Sequence, residues 1–192
     1  MSRILILYGT TDGHTAKIAS AVAATLETEG CSVDVVNARE GTADVTPEPY
    51  DGVIVAASVH IGSFQKPVAK WVTRHAAALD AKPTAFLTVC LGILEHDPKV
   101  RQDLNQIVAK FLKATGWHPT RRHFVAGATP FTKYNFIKRW VMKRIAAKNG
   151  RITDASRDIE YTDWNELRAA TRSFARLSIP GIAMLGPAGS WV

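Results

Sequence analysis

The most compact group of residues that could bind an anion is a loop at residues 9–15, which reads Gly-Thr-Thr-Asp-Gly-His-Thr. An apolar run at 4–8 precedes this loop, and apolar residues at helical spacing follow it. A loop between a strand and the N-terminus of a helix presents backbone N–H groups and the positive end of the helix dipole to an anion. The sequence therefore predicts a phosphate site. The alternative is a well-capped turn that binds nothing.

The glycine spacing of this loop narrows the kind of phosphate compound. The loop lacks the G-x-G-x-x-G pattern of dinucleotide sites and the Gly-Lys-Ser or Gly-Lys-Thr ending of nucleoside triphosphatases. A loop rich in hydroxyl groups and without lysine suits the phosphate of a mononucleotide, for which neutral donors and a helix end suffice.

The 192 residues suit one domain with a core that needs neither metals nor disulfides. Cys31 and Cys90 lie far apart in or beside predicted strands, so we expect buried free thiols, and no spacing typical of a metal site is present. The chain shows no signal peptide pattern and no run of eighteen apolar residues that would predict a transmembrane helix. We therefore expect a cytoplasmic protein.

Strand and helix patterns alternate along most of the chain. The continuous apolar run at 53–57 and the largely apolar run at 85–90 are typical of parallel strands covered on both faces, and the mixed run at 31–36 is typical of an edge strand. This alternation predicts a doubly wound α/β domain with a five-stranded parallel sheet. We expect the strand order 2-1-3-4-5, in which the ligand lies at the carboxyl ends of strands one and three. The loops expected around this cleft are 9–15, 58–64 and 91–97.

The alternation is interrupted after a fifth strand predicted at 123–128. We assign residues 1–177 to one domain with an insertion at about 129–157, and 178–192 to a loosely packed tail. The strand pattern returns at 158–161, and a last helix is predicted from about Thr162 to Leu177. Asp163 and Glu166 resemble a capping pair at the start of this helix.

The insertion carries the whole excess of positive charge. Seven basic residues and no acidic ones lie between Lys133 and Arg151, while the rest of the chain has 17 of each sign. On a helical wheel, basic side chains flank an apolar stripe, as in helices that lie on membrane surfaces. Contact with an anionic membrane, contact with an acidic substrate and a solvated face over a core helix all fit this pattern, whereas nucleic acid does not. The residues assigned to membrane or acidic-substrate contact are Lys138, Arg139, Trp140, Lys143 and Arg144.

Five segments together resemble the flavodoxin-like family and, within it, the bacterial quinone-dependent protoporphyrinogen dehydrogenases. The resemblance covers nearly the whole chain up to about Leu177. The segments are ILILYGTTDGHTAKIA, AASVHIGSFQKPVAKWVTRH, GWHP, KYNFIKRWVMKRI and IEYTDW.

The resemblance implies that the cofactor is flavin mononucleotide (FMN). It also implies that the enzyme oxidises protoporphyrinogen IX, a tetrapyrrole, to protoporphyrin IX in haem biosynthesis, and that a membrane quinone accepts the electrons. The phosphate would be held by Thr10, Thr11, Asp12, Gly13, His14 and Thr15. The isoalloxazine ring would be bordered on one side by Ser58, Val59, His60, Ile61 and Gly62, and on the other by Leu91, Gly92 and Ile93.

No residue is firmly assigned a catalytic role. His60 and His96 lie in the predicted cleft loops, where an imidazole could move a proton or bind an acidic substrate. Small electron-carrier flavodoxins commonly stack an aromatic side chain on the flavin. Here the second loop offers only Phe64 at its far end and the third loop offers none, so we expect a more open ring.

Two other functions fit the sequence. One is a flavin-dependent quinone reductase or flavodoxin-type electron carrier that uses another donor. The other is a cofactor-free module that binds a membrane surface or a protein. If the basic insertion contacts a membrane, we expect the cytoplasmic protein to lie peripherally on the inner face of the cell membrane. A homo-oligomer is compatible with the sequence.

Overall fold

The computed structural model describes residues 1–40, 45–95, 97–129 and 159–178. Seven strands and four α-helices lie in these ranges, with one 3₁₀ turn at Gly92–Leu94. The strands are β1 (Arg3–Gly9), β2 (Ser32–Asn37), β3 (Gly52–Ser58), β4 (Thr84–Cys90), β5 (Arg121–Ala126), β6 (Ala128–Thr129) and β7 (Ile159–Glu160). The helices are α1 (His14–Thr28), α2 (Lys66–Asp80), α3 (Pro98–Thr115) and α4 (Trp164–Ser178).

Five strands form one parallel sheet in the order β2-β1-β3-β4-β5. The predicted doubly wound fold and strand order are therefore confirmed. β3 and β4 are almost completely buried, as expected for strands covered on both faces, whereas most residues of β2 are partly or fully exposed at the edge. Because all five strands are parallel, their carboxyl ends meet at one edge of the sheet.

Alternate residues of β1 supply the two halves of the core. Ile4 and Ile6 pack with residues of α1 and α4 on one face of the sheet. Leu5 and Leu7 pack with residues of α2 and α3 on the other. This period of two is the strand geometry that sends successive side chains to opposite faces.

An aromatic cluster fills the core between the sheet and α3. Phe86 of β4 stacks on Phe111 of α3 with ring centroids 5.1 Å apart, and Trp117 lies 5.5 Å from Phe86. Phe64 joins this cluster, at 5.1 Å from Phe86 and 4.8 Å from Phe111. The one aromatic residue of the second loop therefore anchors that loop in the core.

The region around the fifth strand differs in detail from the prediction. β5 ends at Ala126, two residues before the predicted end. After Gly127, β6 pairs antiparallel with β7 in a separate ribbon, with Thr129 opposite Ile159. Residues 159–160 thus lie outside the main sheet, because the chain leaves and returns side by side, which favours antiparallel pairing.

The last helix begins at Trp164, two residues later than predicted, because Asp163 caps it. The Asp163 carboxylate accepts hydrogen bonds from the backbone N–H groups of Asn165 and Glu166, both at 2.9 Å. The Glu166 carboxylate does not complete a reciprocal capping box in the structure. It lies 3.7 Å from Nε2 of His123.

Most of the predicted insertion and tail lies outside the described residues, so the domain boundaries stay predictions. Cys31 and Cys90 are both buried free thiols, as expected. In the described part of the chain, no helix is long and apolar enough to cross a membrane.

We predict that stability falls in mild acid, partly through His123. This side chain is 8 % exposed, and burial lowers its pKa despite the opposing charge of Glu166. The unfolded chain then binds a proton near pH 6.5 that the folded chain does not bind, so the free energy of unfolding decreases as the pH drops below about 6.5. Urea titrations between pH 8 and 5 measure this slope.

His123→Gln is expected to reduce the slope without abolishing it. The pKa values of His14 and His75 are also lowered by burial and act in the same direction. An identical slope in the variant and the parent would contradict the role of His123.

Candidate cofactor site

A cavity of about 400 Å³ lies at the carboxyl ends of β1, β3 and β4. It collects residues from the first loop (9–15), the second loop (58–64) and the start of the third loop (91–97), as the topology predicts. The described residues that line it are Thr10, Thr11, Asp12, His14, Thr15, Ser58, Val59, His60, Ile61, Val89, Cys90, Leu91, Gly127 and Ala128.

The first loop leaves the start of α1 open to an anion. Gly13, at the N-cap, has a φ of 97°, which favours glycine, and no side chain caps the helix. The Gly13 N–H instead donates to the Thr10 hydroxyl at 2.8 Å, which closes the loop. No acidic residue lies in the first turn of α1. The first backbone N–H groups and the helix dipole therefore suit a phosphate.

The side chain of His14 is committed to a contact outside the loop. Its Nε2 lies 2.7 Å from the Thr162 hydroxyl, and this hydroxyl donates to the carbonyl of Ala126 at 2.7 Å. Because the hydroxyl has one hydrogen, Nε2 carries the proton and donates. Burial lowers the pKa of His14 by more than the negative charge of Glu160 raises it, and the positive charge of Lys17 also lowers it. A neutral imidazole thus connects the first loop to the start of α4.

The second loop is a tight turn with an exposed apolar tip. His60 and Ser63 exchange backbone hydrogen bonds of 2.9 and 3.2 Å around Ile61 and Gly62. Ile61 has a φ of 48°, a conformation that β-branched residues rarely adopt, and it is 92 % exposed. Backbone strain of this kind clusters at ligand sites, and Ile61 lines the cavity. His60 is also exposed, at the rim of the cavity.

Gln65, which the sequence did not single out, ties the first loop to the second. Its Nε2 lies 2.7 Å from the Ser58 hydroxyl, 3.1 Å from the Ser58 carbonyl and 3.2 Å from the Thr11 hydroxyl. Its Oε1 is buried without a hydrogen-bond partner. A Cβ at Gly9 would lie 2.9 Å from this oxygen and 2.5 Å from Cγ2 of Val68. Glycine is therefore required where α2 approaches the end of β1.

The third loop contributes less to the cavity than expected. Leu91 lines the cavity, whereas Gly92 packs against Val100 and Leu104 of α3. Ile93 lines a neighbouring cavity instead. Cys90, at the end of β4, lines the cofactor cavity, and burial raises its pKa to about 11. This thiol is therefore protonated at neutral pH.

Most of the predicted site residues are brought together. Gly13 and Gly62 shape the first two loops without lining the cavity. His96 and the predicted contact residues Lys138, Arg139, Trp140, Lys143 and Arg144 lie outside the described residues. The lining residues that the sequence did not indicate are Val89, Cys90, Gly127 and Ala128. Val89 and Cys90 end β4, and Gly127 and Ala128 follow β5 directly. The sequence could have indicated them only if the last residue of each strand had been predicted exactly.

With FMN as the cofactor that the sequence resemblance implies, we predict that Gln65→Leu weakens its binding about ten-fold. The substitution removes hydrogen bonds to both loops, each worth about 1 kcal/mol, and leaves the side-chain volume nearly unchanged. Fluorescence titration with FMN measures the dissociation constant. Gln106→Leu, on the exposed face of α3, is the matched control and should bind FMN as the parent does. Equal affinities in both variants would contradict the role of Gln65.

The chain is similar to a known domain family and to named enzymes. The family model described as a flavodoxin domain matches residues 5–156. The chain is 32 % identical to "Protoporphyrinogen IX dehydrogenase [quinone]" of Escherichia coli K12, over 92 % of this chain and 96 % of that protein. It is 34 % identical to the Leishmania major protein of the same name, over 92 % of this chain and 76 % of that one.

A solved structure supports the fold alone. Rubredoxin oxygen:oxidoreductase from Desulfovibrio gigas matches with a TM-score of 0.57 and 17 % identity, over 93 % of this chain and 36 % of that one. The family model and the relatives show that the chain belongs to the flavodoxin family, in the group that contains the quinone-dependent protoporphyrinogen IX dehydrogenases, and the sheet order agrees with this family.

Proposed function

We propose that this protein is an FMN-dependent oxidoreductase that oxidises protoporphyrinogen IX to protoporphyrin IX and passes the electrons to a membrane quinone. The observation that carries the proposal is the 32 % identity over 92 % of the chain to a protein named for this reaction. The cavity between the three loops supports it, because its donors and size suit a mononucleotide.

The described residues fit FMN in two parts. The uncapped start of α1, with Thr10, Thr11 and Thr15 beside it, would hold the phosphate. Ser58, Val59 and Ile61 would border the ring on one side and Leu91 on the other, with Gly62 shaping the second turn. Asp12 would serve as a turn residue, because its charge is unfavourable beside a phosphate.

FMN, when bound, supplies hydride transfer at its ring, so the protein's task is to bind, orient and shield. No Phe, Tyr or Trp is among the described residues that line the cavity. Phe64 is held in the core by Phe86 and Phe111, so it does not cover the ring. An open ring face admits a flat substrate, which suits an enzyme better than an electron carrier. The protonated thiol of Cys90 supplies no negative charge to oppose a reduced flavin.

A membrane quinone requires the protein to reach the membrane. We propose that the basic insertion makes this contact through Lys138, Arg139, Trp140, Lys143 and Arg144, on the inner face of the cell membrane. Each basic residue near an anionic surface contributes about 1 kcal/mol, so several together support weak, salt-sensitive binding. The carboxylates of an acidic tetrapyrrole are an alternative partner for the same charges.

Anaerobic mixing with protoporphyrinogen IX tests the proposed reaction. The flavin absorbance of the FMN-loaded protein is expected to bleach, and to recover when a quinone is added. Bleaching by NADH or NADPH but not by protoporphyrinogen would instead indicate a quinone reductase or an electron carrier with another donor. A protein that takes up no flavin would indicate a cofactor-free module.

Vesicle co-sedimentation tests the membrane contact. Replacing Lys138, Arg139, Lys143 and Arg144 with Gln is expected to abolish most binding to anionic vesicles at low salt, since about 4 kcal/mol of attraction is lost. The control replaces Lys110, Lys113, Arg168 and Arg176, which are exposed on α3 and α4, with Gln. Equal loss of binding in the two variants would show that net charge alone is responsible and would contradict the assignment.

A further inference from the structure

A second concave surface lies beside the first loop, between α2 and the end of β2. This basic groove has a volume of about 560 Å³. Four cationic residues, Arg39, Lys66, Lys70 and Arg74, line it, and Trp71 forms part of its wall. The groove and the cofactor cavity share no lining residue.

The charges of the groove are not neutralised within the described structure. None of the described residues that line it is acidic, and none of its four cations takes part in a described ion pair. By contrast, Arg3, Lys17 and Arg172 each pair with a carboxylate elsewhere. Like charges four residues apart destabilise a helix, and α2 repeats this spacing twice. The repulsion between Lys66, Lys70 and Arg74 thus lowers the stability of α2.

The groove has a defined shape. Lys66, Lys70 and Arg74 follow one another at intervals of about 6 Å along α2, with Arg39 contributed by a different segment. Trp71 is 2 % exposed and its indole N–H donates to the carbonyl of Val45 at 2.8 Å, which fixes the wall. A smaller cavity of about 280 Å³ lies between the groove and the cofactor cavity. It shares Ala38, Arg39, Lys66 and Pro67 with the groove, and Thr10 and Thr11 with the cofactor cavity.

Shape and charge together select the kind of partner. The row of cations runs down α2 away from the carboxyl edge, so a flat bilayer that faces the cofactor cavity would not meet Arg74. A small molecule can enter the concave groove. The cavity beside Ile93 suits an anion less well, because Arg101 there is accompanied by Asp163 and Glu166.

We propose that the basic groove binds a small polyanion that carries at least two phosphate or carboxylate groups about 6 Å apart. Lys66, Lys70 and Arg74 would each meet an anionic group, and Arg39 would close the groove from the opposite side, with a guanidinium that suits either anion. The proposal does not depend on the proposed redox reaction, because neither FMN nor its cavity takes part.

Calorimetric titration with inorganic tripolyphosphate tests the groove, with FMN present in excess to occupy the first loop. The parent is expected to bind the probe saturably, and more weakly as salt is raised. Lys70→Gln combined with Arg74→Gln should weaken binding about ten-fold. Lys110→Gln combined with Lys113→Gln removes the same charge from α3 and should leave the affinity unchanged. No saturable binding by the parent, or equal weakening in both double variants, would overturn the proposal.

Competition identifies the source of the anionic groups. Protoporphyrin IX, with two free carboxylates, is compared with its dimethyl ester as a competitor of tripolyphosphate. Displacement by the diacid alone would show that the groove receives the carboxylates of a tetrapyrrole. If neither porphyrin displaces tripolyphosphate, the groove is a phosphate site. Displacement by the ester as strongly as by the diacid would show that binding does not depend on charge and would contradict the proposal.

Discussion

The close approach of α2 to the end of β1 at Gly9 is the constraint on which both binding surfaces depend. A side chain at this position would collide with Val68 and Gln65, so the helix would have to move outward. Because α2 lies this close to β1, Gln65 at its N-cap lies between Ser58 and Thr11 and forms hydrogen bonds with both. These bonds fix the separation of the first two loops. The same approach places Lys66 beside the first loop. The absence of a side chain at Gly9 thus allows α2 to approach β1 closely enough to form the cofactor cavity on one side and the basic groove on the other.

The features that were predictable from the sequence are those with local causes. Period-two and period-3.6 patterns gave the strands and helices, and their alternation gave a doubly wound parallel sheet. The predicted strand order rests on the known arrangement of such five-stranded sheets, because alternation alone does not fix it. The loop at 9–15 was recognisable because its glycine and hydroxyl residues stand between a strand pattern and a helix pattern. The hydrogen bond that closes it, from the Gly13 N–H to the Thr10 hydroxyl, is also local. The cap at Asp163 was recognisable for the same reason, although the helix start was predicted two residues too early.

The features that were missed depend on contacts between distant parts of the chain. His14 and Thr162 are 148 residues apart, and Gln65 and Thr11 are 54 apart. The basic groove was hidden for a related reason. Outside the insertion the charges sum to zero, yet the fold gathers Arg39 and three cations of α2 while other cations meet carboxylates. A sequence total does not reveal how a fold separates its charges.

The β6–β7 ribbon has a consequence for how such a fold diversifies. Thr129 and Ile159 lie opposite each other, so the segment between them leaves and re-enters the domain at one point. The entropic cost of joining two fixed ends rises only with the logarithm of the number of residues between them. Just after this segment, Glu160 forms an ion pair with Lys17. The Thr162 hydroxyl forms hydrogen bonds with His14 and with the carbonyl of Ala126. Proteins with this fold can therefore differ in the length and sequence of the segment between these two residues, and so in the surface that it forms, while the sheet and the cavity stay unchanged.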